Sequence, residues 1–178
     1  TGTGATTFQD NVTATNVNVN AGTSTFQDNL TATTTTITTG TGNFNTVSGT
    51  TTSNLQFTDN GTANLNNGLT GNVTTTADNK GTLNLVGSNN QTVTGTVGGV
   101  GASLAEVNAG VTGTTSTFNS NVYASNLNMT GTGTVILNSD LTGNVVTTGN
   151  NQGILTTTGA NQTITGNIGS STSLDLNT

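Results

Sequence analysis

The chain has 178 residues, enough for one ordinary domain. More than half are Thr, Asn or Gly, only 4% are charged, and Pro, Cys, His, Trp and Arg are absent. Seven acids against the single base Lys80 give a net charge of −6, which leaves no cationic surface to displace counterions from nucleic acid or to hold an anionic membrane.

So polar a chain could be disordered, but common disorder carries Pro, Lys and few β-branched residues. Here Thr, Val and Ile are plentiful, which favours strands, while abundant Gly and Asn disfavour helix. No apolar run approaches the roughly 18 residues of a spanning helix, so no membrane insertion is expected. No signal peptide is recognisable at the start.

From the N-terminal side, TFQDNVTAT (7–15) returns as TFQDNLTAT (25–33), 18 positions later. Set in rows of 18, Phe8, Phe26 and Phe44 share a column. Val19, Ile37, Leu55 and Val73 share another, resumed by Leu127 and Val145; a third holds Val47, Leu65 and Leu83, then Leu137 and Leu155. A polar column runs through Asn54, Asn72, Asn90, Asn108, Asn126 and Asn144, with Thr58, Thr76, Thr94, Thr112, Thr130 and Thr148 four residues on. Gly95, Gly113, Gly131 and Gly149 follow in the same register and suit corners with positive φ.

A longer period lies on top. SNLQFTDNGTANLNNGLTGNV (53–73) matches SNLNMTGTGTVILNSDLTGNV (125–145), and the match runs on, with one deletion, so that 53–98 corresponds to 125–169. The two copies of this 72-residue duplication are offset by four whole rows, which keeps the columns aligned.

Units this short cannot bury an apolar face alone and must stack. The expected fold is therefore all-β: a single parallel β-helix over 1–178, of about ten 18-residue coils. Equivalent residues would lie above one another at about 4.8 Å. The phenylalanine and aliphatic columns would form the core, and the six asparagines a structural amide ladder. No capping segment is recognisable at either end, so the chain reads as a piece of a longer rod.

Catalytic chemistry finds little to build on. Asp59, Asp78, Glu106, Asp140 and Asp175 occupy different columns, against the paired carboxylates of glycoside hydrolysis. Asp10 and Asp28 share a column, but Asp commonly bonds its own turn. Without His or Cys there is neither a histidine-activated nucleophile nor a soft-metal site. No enzyme, cofactor or metal is expected. Sequons such as NVT (11–13) follow automatically from the composition. Threonine ranks on a rigid solenoid also suggest ice binding, but Thr74 and Thr92 give way to Gly110 and Asn128, so the ranks are expected to dissolve.

GTLNLVGSNNQTVTGTVGGVGASLAEVNAG (81–110) resembles the passenger regions of the rickettsial surface cell antigens, which belong to the autotransporter class. Its pattern, a GTL strand, an NQTVTG strand and a segment ending VNAG, recurs as GILTTTGANQTITGNIG (153–169) and, in style, as FQDNVTATNVNVNAG (8–22). Recognisable motifs cover the smaller part of the chain. The resemblance implies a right-handed β-helical passenger, displayed on the bacterial surface through a C-terminal outer-membrane barrel and adhering to a host-cell surface protein. It carries over no catalytic residue. A stalk or surface-layer element without its own binding role is the alternative, and flat Thr/Val faces suggest lateral self-association.

Overall fold

The computed structural model describes residues 3–45 and 47–169, all strand, turn and loop. In chain order the strands are β1 (Ala5–Phe8), β2 (Val12–Val19), β3 (Thr23–Phe26), β4 (Leu30–Ile37), β5 (Thr41–Phe44), β6 (Thr51–Phe57), β7 (Thr62–Leu65), β8 (Leu69–Thr70) and β9 (Val73–Thr75). They continue as β10 (Lys80–Leu85), β11 (Gln91–Val93), β12 (Leu104–Ala109), β13 (Thr115–Phe118), β14 (Val122–Met129), β15 (Thr134–Leu137), β16 (Leu141–Thr147), β17 (Ile154–Thr157) and β18 (Ile164–Thr165). Two sheets result, ordered β1-β3-β5-β7-β10-β12-β14-β16-β18 and β17-β15-β13-β11-β8-β6-β4-β2, with β9 pairing β6. Every strand pair is parallel, as a chain coiling about one axis requires.

Following the register upward resolves three faces. The first file is Thr6, Ser24, Gly42, Ala63, Leu83, Val107, Leu127, Val145, Ile168. The second is Val12, Leu30, Thr51, Leu69, Val93, Phe118, Leu137, Thr157. The third is Val17, Thr35, Leu55, Val73, Val97, Val122, Leu141, Ile164. These files point inward, and between them the alternation of buried and exposed residues is nearly strict, as in Thr62–Leu65 and Lys80–Leu85.

The solenoid expected from the repeat is thus present, but its coil length is not constant. The first two steps of the first file, from Thr6 to Ser24 and on to Gly42, keep the 18-residue circuit. The steps Val73 to Val97 and Val97 to Val122 take 24 and 25. Between Thr6 and Ile168 the first file climbs only eight steps, so about eight turns replace the ten expected. Corners such as 86–90 between β10 and β11 and 94–103 between β11 and β12 take up the extra residues, which loop entropy allows at small cost.

The core is narrow. Phe26, Phe44, Phe57 and Phe118 are fully buried with Leu30, Ile37, Leu55, Leu65, Leu83, Val107, Leu127 and Val145. Phe8, Phe26 and Phe44 stack nearly parallel, at centroid distances of 4.9 and 5.3 Å. The column beside them is not continuous. Val19 sits below Ile37, but Ile37 pairs with Phe57, and Leu55 lies above Thr35. Leu55–Val73 and Leu127–Val145 remain adjacent pairs. The slip follows from the longer third coil and a register shift between Thr31 and Thr34. Polar residues also enter the interior in pairs: Thr35 Oγ1 and Ser53 Oγ lie 2.9 Å apart, and Thr51 Oγ1 donates to Asn45 Oδ1.

The 72-residue repeat reproduces local geometry on a different face. Gly71 and Gly143 both have φ +145°, Asn79 and Asn151 +58° and +52°, Gly81 and Gly153 +76° and +73°. Gln91 Nε2 donates to Leu65 O at 2.9 Å, and Gln162 Nε2 to Leu137 O at 3.0 Å. Yet Leu55 and Val73 belong to the third file, Leu127 and Val145 to the first. Three steps up from Leu55 lead to Val122, and Leu127 follows it within β14, past the register shift between Tyr123 and Asn126. The three faces accept the same sequence, so the second copy is rotated by one face about the axis.

Candidate functional site

The most regular outward feature lies on the solvent side of the first face. There β3, β5, β7, β10, β12 and β14 each offer a polar residue between two inward ones. Asn43 Nδ2 donates to Thr25 Oγ1 (3.3 Å), Asn64 to Asn43 Oδ1 (2.8 Å) and Asn84 to Asn64 Oδ1 (2.7 Å). Asn108 then donates to Asn84 Oδ1 (2.6 Å) and Asn128 to Asn108 Oδ1 (2.7 Å). This is a continuous amide ladder over six coils. Each rung is half-buried by its neighbours, so its rotamer is fixed. Two residues earlier in each strand runs a second column, Thr23, Thr41, Thr62, Thr82, Glu106, Asn126 and Asn144. Hydroxyls and amides thus cover a face on which Glu106 is the one charge among the described residues of these two columns.

The ladder is not the one that 18-residue spacing suggested. Of that set, Asn54 and Asn72 are neighbours, the Asn72 amide N–H donating to Asn54 Oδ1 at 3.0 Å. Asn126 and Asn144 are also neighbours, Asn144 Nδ2 donating to Asn126 Oδ1 at 3.3 Å. Between them the column breaks. Above Asn72 stands Thr96, whose N–H donates to Asn72 Oδ1 at 2.9 Å. Asn90 lies at a corner and accepts from Thr115 N at 2.8 Å, while Asn108 belongs to the ladder described above. The two longest coils carry an 18-step column off its face. The real rungs are spaced 21, 20, 24 and 20, visible in sequence only as Asn before an inward residue in TGNF, TANL, TLNL, EVNA and NLNM.

Ladder membership has a measurable consequence. Asn84→Ala removes one donor and one acceptor from the run and is expected to cost about 1–3 kcal/mol. Asn90→Ala removes one exposed bond and should cost less than about 1 kcal/mol. Thermal or urea unfolding of the two variants compares them directly.

Threonine ranks also follow true register. Thr13, Thr31, Thr52 and Thr70 form an exposed file on the second face. The expected dissolution of such ranks therefore does not apply to this file, whose spacing of 18, 21 and 18 hid it.

Among the described residues no three of His, Cys, Asp and Glu come together as a metal site, and Asp175 lies outside the described residues. Asp28 Oδ1 accepts from Asn29 N at 2.9 Å and Ser48 Oγ at 3.4 Å, a turn role. Lys80 Nζ meets Asp59 Oδ1 at 2.7 Å between successive coils. Asp78 Oδ1 accepts from Ser103 N (2.8 Å) and Ser103 Oγ (2.9 Å). The hydrogen bond from Lys80 holds the Asp59 carboxyl below its ordinary 3.8, and the bond from the Ser103 amide does the same for Asp78. A depressed folded-state pKa adds stability above the unfolded value that is lost as pH falls through the folded one. Stability is therefore expected to drop below about pH 3.8, with Asp59→Asn and Asp78→Asn each weakening that drop in acid titrations followed by circular dichroism.

Two shallow concavities, about 150 Å³ beside Asn18, Ala21 and Ser24 and about 110 Å³ beside Asn45, Asn66 and Ser88, are small against the roughly 300 Å³ and more of ligand pockets. Comparison of the chain with protein-family models, curated proteins and solved structures returns no match.

Proposed function

We propose that this chain is a non-enzymatic, surface-exposed segment of a bacterial autotransporter passenger that mediates adhesion to host cells. The ladder face carries this reading. Its amides are already fixed by bonds to one another, so contact with a partner costs little further side-chain entropy. Its ladder runs over six coils, an extent that suits a protein surface better than a small molecule. Display through a C-terminal outer-membrane barrel belongs to the same proposal and rests on the resemblance of 81–110. The partner is a host-cell surface protein. The purified chain should then compete with bacteria for host-cell binding; absence of competition at saturating dose would favour a stalk or surface-layer element that only spaces other parts. That alternative draws support from backbone pairing maintained over eight steps.

Ice binding keeps one structural support, the file Thr13, Thr31, Thr52 and Thr70. Beside it, however, stand Asn54 and Asn72, whose side-chain oxygens accept from the backbone of the next coil. No thermal hysteresis is expected, and faceted ice crystals would reverse this ranking. Side-by-side packing of rods through flat Thr/Val faces is checked by sedimentation in dilute solution, where a monomer throughout would end it.

A further inference from the structure

The regular solenoid is interrupted most sharply between Val97 and Leu104, both fully buried. Between them the chain leaves the surface as a tight hairpin in which Gly99 and Ala102 exchange two backbone bonds, at 3.0 and 3.1 Å. Gly101 has φ +69°, the conformation a type II turn needs at its third position. Val100 occupies the second position and is 89% exposed, the highest value among the exposed large apolar residues. Neither turn chemistry nor packing calls for a β-branched apolar residue there, because that position favours Pro or polar residues.

The hairpin is held rigidly. Asp78 accepts both the N–H and the hydroxyl of Ser103, Asn79 N donates to Ser103 O at 2.9 Å, and Ser125 Oγ, one coil above the hairpin and two above Asn79, donates to Asn79 Oδ1. Lys80, beside them, is tied to Asp59. Glu106 stands exposed two residues after Leu104. Three of the seven acids and the only base thus gather at this corner. In the second copy of the repeat, Asp78 and Lys80 are replaced by Asn150 and Gln152, so the charged anchor is not a requirement of the coil.

We propose that this corner is a protein-contact site, with Val100 as the anchor. Its occupant is a partner protein offering an apolar socket for one branched side chain, rimmed by Lys or Arg to meet Asp59, Asp78 and Glu106. Insertions in a solenoid project from one side, commonly the binding side. A rigid apolar anchor inside a polar rim is the usual anatomy of an interface centre. This rests on the adhesion reading and names where the contact is made.

The test uses fluorescently labelled protein on monolayers of cultured mammalian epithelial cells. Three forms are compared: the native chain, Val100→Ser, and Val47→Ser, the last altering a 75% exposed valine on another corner. Equal thermal melts establish that all three are folded. The expected result is a loss of at least tenfold in binding for Val100→Ser with Val47→Ser unchanged, and weaker binding of the native chain as salt rises. Binding by the native chain that Val100→Ser leaves intact, or that Val47→Ser reduces equally, overturns this contact while leaving adhesion standing. No binding by the native chain overturns both.

Discussion

Gly143→Ala is expected to unfold the solenoid locally and to lower its stability by more than about 3 kcal/mol, from backbone strain of about 1–3 kcal/mol plus the pairing bonds lost with it. Gly143 has φ +145°, and a Cβ there would lie 1.8 Å from the carbonyl oxygen of Ala124 in the coil below. The obstacle is backbone, so no side chain can turn aside; the two coils would have to part. Gly71, its counterpart in the first copy, has the same φ and would place a Cβ 2.1 Å from Ser53 O. Gly71→Ala should therefore behave alike, although it lies on a different face. Gly101→Ala is the control. At φ +69° with nothing within 4 Å of its Cβ, it should cost only the left-handed preference, about 1–2 kcal/mol. Urea unfolding of the three variants measures the order, and equal midpoints would refute the close coil approach at Gly143.

Phe26→Ala should cost about 3–5 kcal/mol. Phe26 is the middle ring of the stack, 1% exposed, with rings 4.9 Å below and 5.3 Å above. Each coil buries few large side chains, so the cavity would have no ready neighbour to fill it. Phe8 is 38% exposed, and Phe8→Ala should cost less than half as much. A cost for Phe8→Ala matching that of Phe26→Ala would mean that the stack is not part of one continuous core.

The fold class was legible because apolar residues alternate with polar ones in short runs and whole motifs recur. The phenylalanine stack was legible because the first two coils keep the 18-residue circuit. Beyond Phe44 a fixed spacing fails. Val47, set in a column with Leu65 and Leu83, is exposed, whereas those two are buried. Corners such as Gly87–Asn90 and the Gly99–Ala102 hairpin lengthen coils, so residues 18 apart drift from face to face. Asn72, Asn90 and Asn108 show the result: one donates to the coil below, one caps a corner, one is a ladder rung. The true ladder was written in local order, an Asn immediately before an inward side chain, which a column layout does not read. The rotated repeat was hidden for the same reason, since a 72-residue offset returns to the same face only if all coils have equal length.

Register is what the architecture, the ladder and the placement of the hairpin all depend on, and engineered cysteines measure it in a chain that has none. Adjacent coils place paired Cα atoms about 4.8 Å apart, within disulfide reach. Oxidation of the double variant Asn84→Cys/Asn108→Cys is predicted to give an intramolecular disulfide, and Asn90→Cys/Asn108→Cys none. A disulfide in the second pair and not the first would restore the constant 18-residue coil and contradict the fold described here.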